Sequence, residues 1–281
     1  MNPLPTHEEF WDRYAPREDT REERSPFKKV HTDICWREID RHLEGVKSVL
    51  DVGAGSGRFS LPLARRGFEI VHFDISSEMI KVAQKKAETE KLSSIRFIQG
   101  TVTDLTGFHE DEFDLVLCLD APVSFVYPQH IDAQEELTRV TRKTLIISVS
   151  SRTGNLPTWV QGDVLIAGKW LTAWRVWREG IFEANEEILA LQSPLIPKMY
   201  FFRLEEIRSI LVSFGMQVER LCAPGGLVRQ LPREAVDKLI NMPEMYSEFL
   251  TLEEEYDVDV PTVGIDTAGN LLITALKGKK V

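Results

Sequence analysis

The feature that most constrains this chain is Val49-Leu50-Asp51-Val52-Gly53-Ala54-Gly55-Ser56-Gly57-Arg58. An apolar run ends in an acid and is followed by three glycines at alternate positions, then by a helical pattern. Glycine lacks a Cβ, so it serves where backbone must turn sharply or let another group lie against it. A glycine-rich turn between a buried strand and a helix therefore predicts that something packs directly on this loop. A tight strand–helix turn without a ligand is the plainer alternative.

The surrounding pattern predicts what the loop belongs to. Val46–Val52 reads as a first strand and Gly57–Arg66 as a helix, with Arg65 and Arg66 near its negative end, Gly67 beyond it and Pro62 as a blemish inside it. Phe68–Phe73 is a second strand ending at Asp74, and Ser76 can cap a helix over Ser77–Glu90. Ile95–Gln99 and the nearly all-apolar Phe113–Leu119 are further strands, Ile131–Arg142 is helical, and Thr144–Val149 is a fifth strand. Strands alternating with helices at this rhythm imply a parallel sheet with right-handed crossovers. From Ser150 to Pro197 no clean repeat appears. Regularity returns at Phe201–Phe214, where Leu204, Ile207, Leu211 and Phe214 share one helical face before Gly215. Gln217–Leu221 and Leu271–Leu276 read as two more strands, with a helix at Arg233–Ile240 between them.

The spacing of the glycines narrows the ligand. The dinucleotide-binding fingerprint is G-x-G-x-x-G, and here its third position falls on Arg58. The pattern is instead an acid, one residue, then G-x-G-x-G, which resembles motif I of the class I S-adenosylmethionine-dependent methyltransferases. The resemblance covers roughly Trp11 to Ala275, with its specific motifs between Val49 and Leu119. It implies a Rossmann-like, seven-stranded α/β sheet, mostly parallel with the last strand antiparallel, and helices on both faces. S-adenosylmethionine would be the cofactor and S-adenosylhomocysteine its product. The methionine end would lie over Gly53, Ala54, Gly55 and Gly57, with Asp51 favouring its ammonium. Asp74 matches the acid that accepts from both ribose hydroxyls, and Ile75 the side chain on the adenine face. Met79, one turn into the next helix, closes the same pocket or simply packs helix on sheet. Gly100-Thr101-Val102-Thr103-Asp104-Leu105 lies where relatives often carry G-D-A-x-D-L. Thr101 stands in place of the acid that accepts from the adenine amino group, and Val102 can donate through its backbone. Leu119, ending the fourth strand, lies where relatives offer a main-chain carbonyl to the ammonium.

The acceptor is less constrained. Methyl transfer from a sulfonium needs alignment, exclusion of water and sometimes removal of a proton, so no catalytic motif is obligatory. Asp120, Pro122 and Ser124 should face the acceptor side of the cofactor. Asp120-Ala121-Pro122-Val123 departs in register from the Asn/Asp-Pro-Pro-aromatic motif of enzymes that methylate bases or glutamine, which argues against such acceptors. His130 is a candidate base or an exposed helix-start residue. Trp11 and Tyr14 belong to an N-terminal aromatic segment that either folds over the cofactor or packs as an ordinary helix. Trp170, Trp174 and Trp177 share a face if their segment is helical, forming the core of a substrate cover or an aromatic wall for a flat acceptor.

These readings divide one globular domain into an N-terminal helical lid (1–45), a cofactor-binding core (46–149), an inserted substrate cover (150–200) and a segment completing the sheet (201–281). The net charge of −10, from 34 basic and 44 acidic residues, argues against a nucleic-acid partner and for a small-molecule acceptor. The acid-rich stretch between Lys238 and Lys277 reads as a solvated outer face. No apolar run approaches membrane-spanning length, and Cys35, Cys118 and Cys222 are odd in number and far apart, so a reduced, cytoplasmic protein, monomeric or homodimeric, is expected. No Cys/His/carboxylate cluster has metal-ligand spacing. The rival readings are an NAD(P)-dependent reductase on a doubly wound fold and a SAM-binding module without turnover.

Overall fold

The computed structural model describes residues 5–190, 198–259 and 269–278. Strands β1 (Ser48–Val52), β2 (Glu69–Asp74), β3 (Ile95–Gln99), β4 (Phe113–Cys118) and β5 (Thr141–Ser150) pair in parallel. Strands β6 (Ile181–Glu183) and β7 (Lys198–Tyr200) form a small antiparallel pair of their own. Strands β8 (Met216–Cys222) and β9 (Asn270–Lys277) complete a seven-stranded sheet in the order β3-β2-β1-β4-β5-β9-β8. The last strand, β9, runs antiparallel to both β5 and β8, as the family resemblance implies.

Helices α1 (His7–Asp19), α2 (Arg21–Arg24) and α3 (Pro26–Arg41) precede the sheet. Along the chain follow α4 (Ser60–Arg65), α5 (Ser77–Thr89), α6 (His130–Val140), α7 (Arg152–Gly162), α8 (Ala173–Glu179), α9 (Glu186–Ala190), α10 (Leu204–Ser213), α11 (Arg233–Leu239) and α12 (Pro243–Asp259). Alternate residues of the central strands feed two separate cores, because successive strand side chains point to opposite faces. Leu50, Val52, Val116, Cys118, Leu145 and Ile147 pack with Leu137 of α6 and with Ile207 and Leu211 of α10. Val49, Leu115, Leu117 and Ile146 pack on the other face with Cys35 and Ile39 of α3 and Leu63 of α4. Burial on both faces is why β4 reads as a nearly continuous apolar run.

Several boundaries differ from expectation for physical reasons. Helix α4 begins at Ser60 rather than Gly57, because the glycine turn continues to Phe59. Pro62 consequently sits in its first turn, where a missing N–H costs nothing. Ser76 caps α5 as predicted, accepting from the Met79 N–H at 3.1 Å. The segment after β5 forms α7, a π-helical turn over Asp163–Ala167, α8 and the β6–β7 pair. Its core is Val176, Phe182, Met199 and Phe201, with Trp159 stacked on Phe182 at 4.5 Å. Part of this expected cover, residues 191–197, lies outside the described residues.

The acid-rich stretch is not simply a solvated face. Glu253 of α12 is fully buried and accepts the Leu227 and Val228 N–H groups, each at 2.9 Å. Glu254 pairs with Arg37 and Arg41 of α3, at 3.0 and 2.6 Å. These acids answer partners contributed by distant parts of the chain, which local composition does not reveal. Asp266 lies outside the described residues, as does the side chain of Asp259.

Candidate functional site

A cavity opens at the carboxyl ends of β1, β2 and β4, where ligands bind in sheets of this kind. The glycine turn forms its floor. The Gly53 and Ala54 N–H groups donate to the Phe73 carbonyl at 2.8 and 3.2 Å, tying the turn to β2. The three glycines have left-handed backbone, but they do different work. A Cβ on Gly53 would lie 2.3 Å from Pro122, so this glycine lets the segment after β4 close against the turn. A Cβ on Gly57 would meet Leu61 and Ala83, so Gly57 serves packing and does not line the cavity. Gly55 lines the cavity, and a Cβ there would meet nothing within 4 Å. The space its side chain would take belongs to the cavity side of the turn.

Two buried carboxylates flank that space. Asp51 ends β1 and is 1% exposed, and its Oδ2 has no hydrogen-bond partner. Burial, with the nearby Asp74 charge, pushes its carboxyl up to about 7. Asp74 ends β2 and accepts the Gly55 N–H on Oδ2 at 2.7 Å and the Ser76 N–H on Oδ1 at 2.8 Å. Burial raises Asp74 to about 6 despite those two donors. A buried carboxylate oxygen without a partner is costly. Asp51 therefore marks a place where a cationic or hydrogen-bond-donating group relieves that cost. Beneath it, His72 donates to or accepts from Ser60 at 2.8 Å, and burial lowers the imidazole to about 3, so it is neutral.

The remaining wall brings together Ala54, Ile75, Met79, Thr101, Val102 and Leu119, all named by the sequence. Met79 is 2% exposed, so it packs helix on sheet and lines the cavity at once. The Thr101 hydroxyl is engaged with that of Thr103 at 2.9 Å. From α1 come His7, Trp11 and Glu18, and Trp11 meets Phe125 edge-on at 5.1 Å.

Several acceptor-side candidates do not line this cavity, among them Ser124, which is buried and accepts the Ser150 N–H at 2.9 Å. Tyr14 packs within α1, stacked on Phe10 at 5.9 Å. His130 stacks on Tyr200 at 4.1 Å, and burial lowers its pKa. Trp174 is 52% exposed on α8, edge-on to the equally exposed Trp170 and beneath Arg178. Trp170 lies before the start of α8, so the two do not share a helical face, and both are exposed. His7, conversely, was missed. It sits one helical turn before Trp11 and shares its face, which is the signal that could have found it. Its Nδ1 has no partner, and burial together with Lys198 holds the imidazole below its usual value.

Asp120 lines the cavity, but as the hub of a charge cluster. It and Ala121 both adopt left-handed backbone, with φ of 63° and 69°. Two consecutive non-glycine residues in that region persist only where their surroundings hold them. Arg21 reaches Asp120 at 2.9 Å, His31 at 3.2 Å, and Arg58 also pairs with it. Glu18 in turn pairs with both Arg21 and Arg58. The two guanidinium groups hold the Asp120 carboxyl well below the usual carboxylate range despite its burial. Arg58, the residue that breaks the dinucleotide fingerprint, thus ties the glycine turn to the segment after β4 and to α1.

Residues 49–144, which carry the glycine turn and both carboxylates, match the methyltransferase-domain family model. They form a methyltransferase domain. The matched stretch is similar, over part of their length, to proteins that carry out methyl transfer in other organisms. A ubiquinone biosynthesis O-methyltransferase of Acinetobacter baylyi is 31% identical over 105 residues, taking in 35% of this chain and 43% of that protein. The chloroplastic magnesium protoporphyrin IX methyltransferase of Arabidopsis thaliana is 32% identical over 128 residues, 45% of this chain and 39% of that one. The first curated relatives are matched over only 30 to 43% of their length. Across the whole fold, the magnesium protoporphyrin IX methyltransferase of Synechocystis with bound S-adenosylhomocysteine superposes with a TM-score of 0.54. That likeness has 18% identity and covers 99% of this chain and 90% of the other, so it speaks to the fold.

Proposed function

We propose that this chain is an S-adenosylmethionine-dependent methyltransferase acting on a small-molecule acceptor at oxygen, nitrogen or carbon. The observation that carries the reading is the partnerless, buried Asp51 oxygen beside the open face of Gly55. Those groups fit a ligand with a cationic end and a narrow, flexible body. Gly53–Gly55 and Asp51 would hold its methionine end, Asp74 the ribose, and Ile75, Met79 and Val102 the adenine. When bound, S-adenosylmethionine supplies a methyl group activated on a positively charged sulfur. The protein's own work is to orient the acceptor and exclude water. Trp11 and Phe125 close the cavity's outer side, so we assign α1 to the cover. His7 is the only imidazole lining the cavity among the described residues, and its lowered pKa leaves it neutral and able to take a proton from an acceptor.

The reductase reading is opposed by Arg58, whose side chain is locked to Asp120 and Glu18 where a dinucleotide needs close helix–strand packing. Calorimetric titration decides. S-adenosylhomocysteine should bind and NADH should not, and the reverse result would overturn the proposal. Incubation with radiolabelled S-adenosylmethionine and a metabolite extract separates an enzyme from a silent binding module. Three free, buried cysteines support a reducing compartment such as the cytoplasm. No helix of the described residues is long and apolar enough to cross a membrane.

Two further outcomes follow from the carboxylates. Asp74→Ala should weaken S-adenosylhomocysteine by about 1.5–3 kcal/mol, the scale of hydrogen bonds to a charged group. A loss below about 0.5 kcal/mol would place the ribose elsewhere. Affinity should also depend on pH. A cationic ligand favours ionised Asp51, so binding must strengthen as pH rises through about 7 and weaken below it. Coupling to one proton limits the slope to about tenfold per pH unit. Asp51→Asn should bind more weakly at pH 8 and lose this slope. An unchanged profile in Asp51→Asn would remove Asp51 from the ligand.

A further inference from the structure

A second cleft of about 430 Å³ lies beside the first, over the ends of β5, β8 and β9. Phe27, Lys28 and His31 of α3 form one side, and Asn155, Arg229 and Asn270 the other. Its charge is unusual for this protein. The chain has 44 acidic against 34 basic residues, yet among the described residues no carboxylate lines this cleft. At the first cavity, Arg21 and Arg58 are each matched by an acid. Lys28 and Arg229 have neither an ion pair nor a side-chain hydrogen bond among the described residues. Both are crowded by protein, and this crowding, with Arg21 acting on Lys28, holds them below their ordinary values. Asp120 and Glu18 act favourably on Lys28 but do not pair with it, so two crowded cations face one cleft, and an anion between them relieves the cost of both. Asn270 also lines the cleft, with an apolar wall at Phe27 and Pro224, while the Asn155 amide already donates to the Ser151 and Gly269 carbonyls at 2.8 and 2.6 Å.

The cleft and the cofactor cavity share a wall. His31 lines the cleft and approaches Asp120 at 3.2 Å, and Asp120 lines the cavity. We propose that the cleft holds the anionic group, a carboxylate or a phosphate, of the methyl acceptor, whose nucleophilic atom reaches past His31 and Asp120 toward the cofactor. The substrate class is then a small anion that keeps its charge after methylation. This rests on the methyltransferase reading above and narrows its acceptor.

The test uses the full chain saturated with S-adenosylhomocysteine at low ionic strength. Benzoate binding is followed by saturation-transfer NMR and inorganic phosphate binding by ³¹P line width, in the wild type and in Lys28→Met, Arg229→Met and the double variant. At least one probe should bind the wild type, weaken about tenfold or more in the double variant, and weaken less in each single variant. Benzoate binding alone points to a carboxylate acceptor, and phosphate binding to a phosphorylated one. S-adenosylhomocysteine affinity should stay within twofold throughout, which shows that the variants fold. Wild type that binds S-adenosylhomocysteine but neither anion, or a double variant that binds them equally well, would overturn the anion cleft and leave the methyltransferase reading standing. Failure to bind S-adenosylhomocysteine at all would instead sink the methyltransferase reading.

Discussion

Gly55→Val should abolish S-adenosylhomocysteine binding, with a loss of more than about a hundredfold, or roughly 3 kcal/mol. Two effects act in the same direction. The φ of 56° at Gly55 is one that a β-branched side chain tolerates poorly. The open space beside the missing Cβ is the space the ligand would take. Gly55→Ala separates them, because alanine adds one methyl and less backbone strain. Its loss should be intermediate, and its melting temperature should stay near that of the wild type. Gly57→Ala is the contrasting case, since a Cβ there collides with Leu61 and Ala83. It should cost stability before it costs affinity. Undiminished binding in Gly55→Val would remove the turn from the site.

The second large effect is structural. Replacing Arg21 and Arg58 together by Met should destabilise the fold by about 3–5 kcal/mol, the usual penalty for stranding a buried charge. Asp120 would keep only His31 beside it. The pH dependence identifies the mechanism. The Asp120 pKa is depressed in the folded chain, so its contribution is present above the unfolded value of about 4 and is lost as pH falls through the folded pKa. The gap between wild type and double variant should therefore be widest at pH 6–8 and narrow below about pH 4. Denaturant titrations at pH 7 and at the lowest pH where the wild type still folds measure it, and an equal gap at both would assign the loss to packing.

What could be read from the sequence follows the range of the interactions. The strands, the helices between them and the glycine turn rest on periodicity and local backbone chemistry, which short windows carry, whereas strand order does not. Asp51 and Asp74 were legible because a strand end fixes where a side chain stands. The charge cluster was not. Glu18, Arg21 and Arg58 look like ordinary surface charges until folding brings α1, α2 and the glycine turn to Asp120. Lys28 and Arg229 escape notice for the same reason. Trp170 and Trp174 failed in the opposite sense, because helical spacing says nothing of where a helix begins or which way its face looks, and α8 begins only at Ala173. His7 could have been found by extending the face of Trp11 back one turn.

The contacts between α3 and α12 have a consequence for how cofactor binding becomes possible. Arg37 and Glu254 are 217 positions apart, and Arg41 reaches the same carboxylate. Helix α3, which follows α1 and α2, is thus fastened by a segment synthesised near the opposite extreme of the described chain. During synthesis, the glycine turn and both carboxylates emerge long before the cover can be seated. If α3 is seated only when α12 arrives, stable ligand occupancy is expected late in assembly.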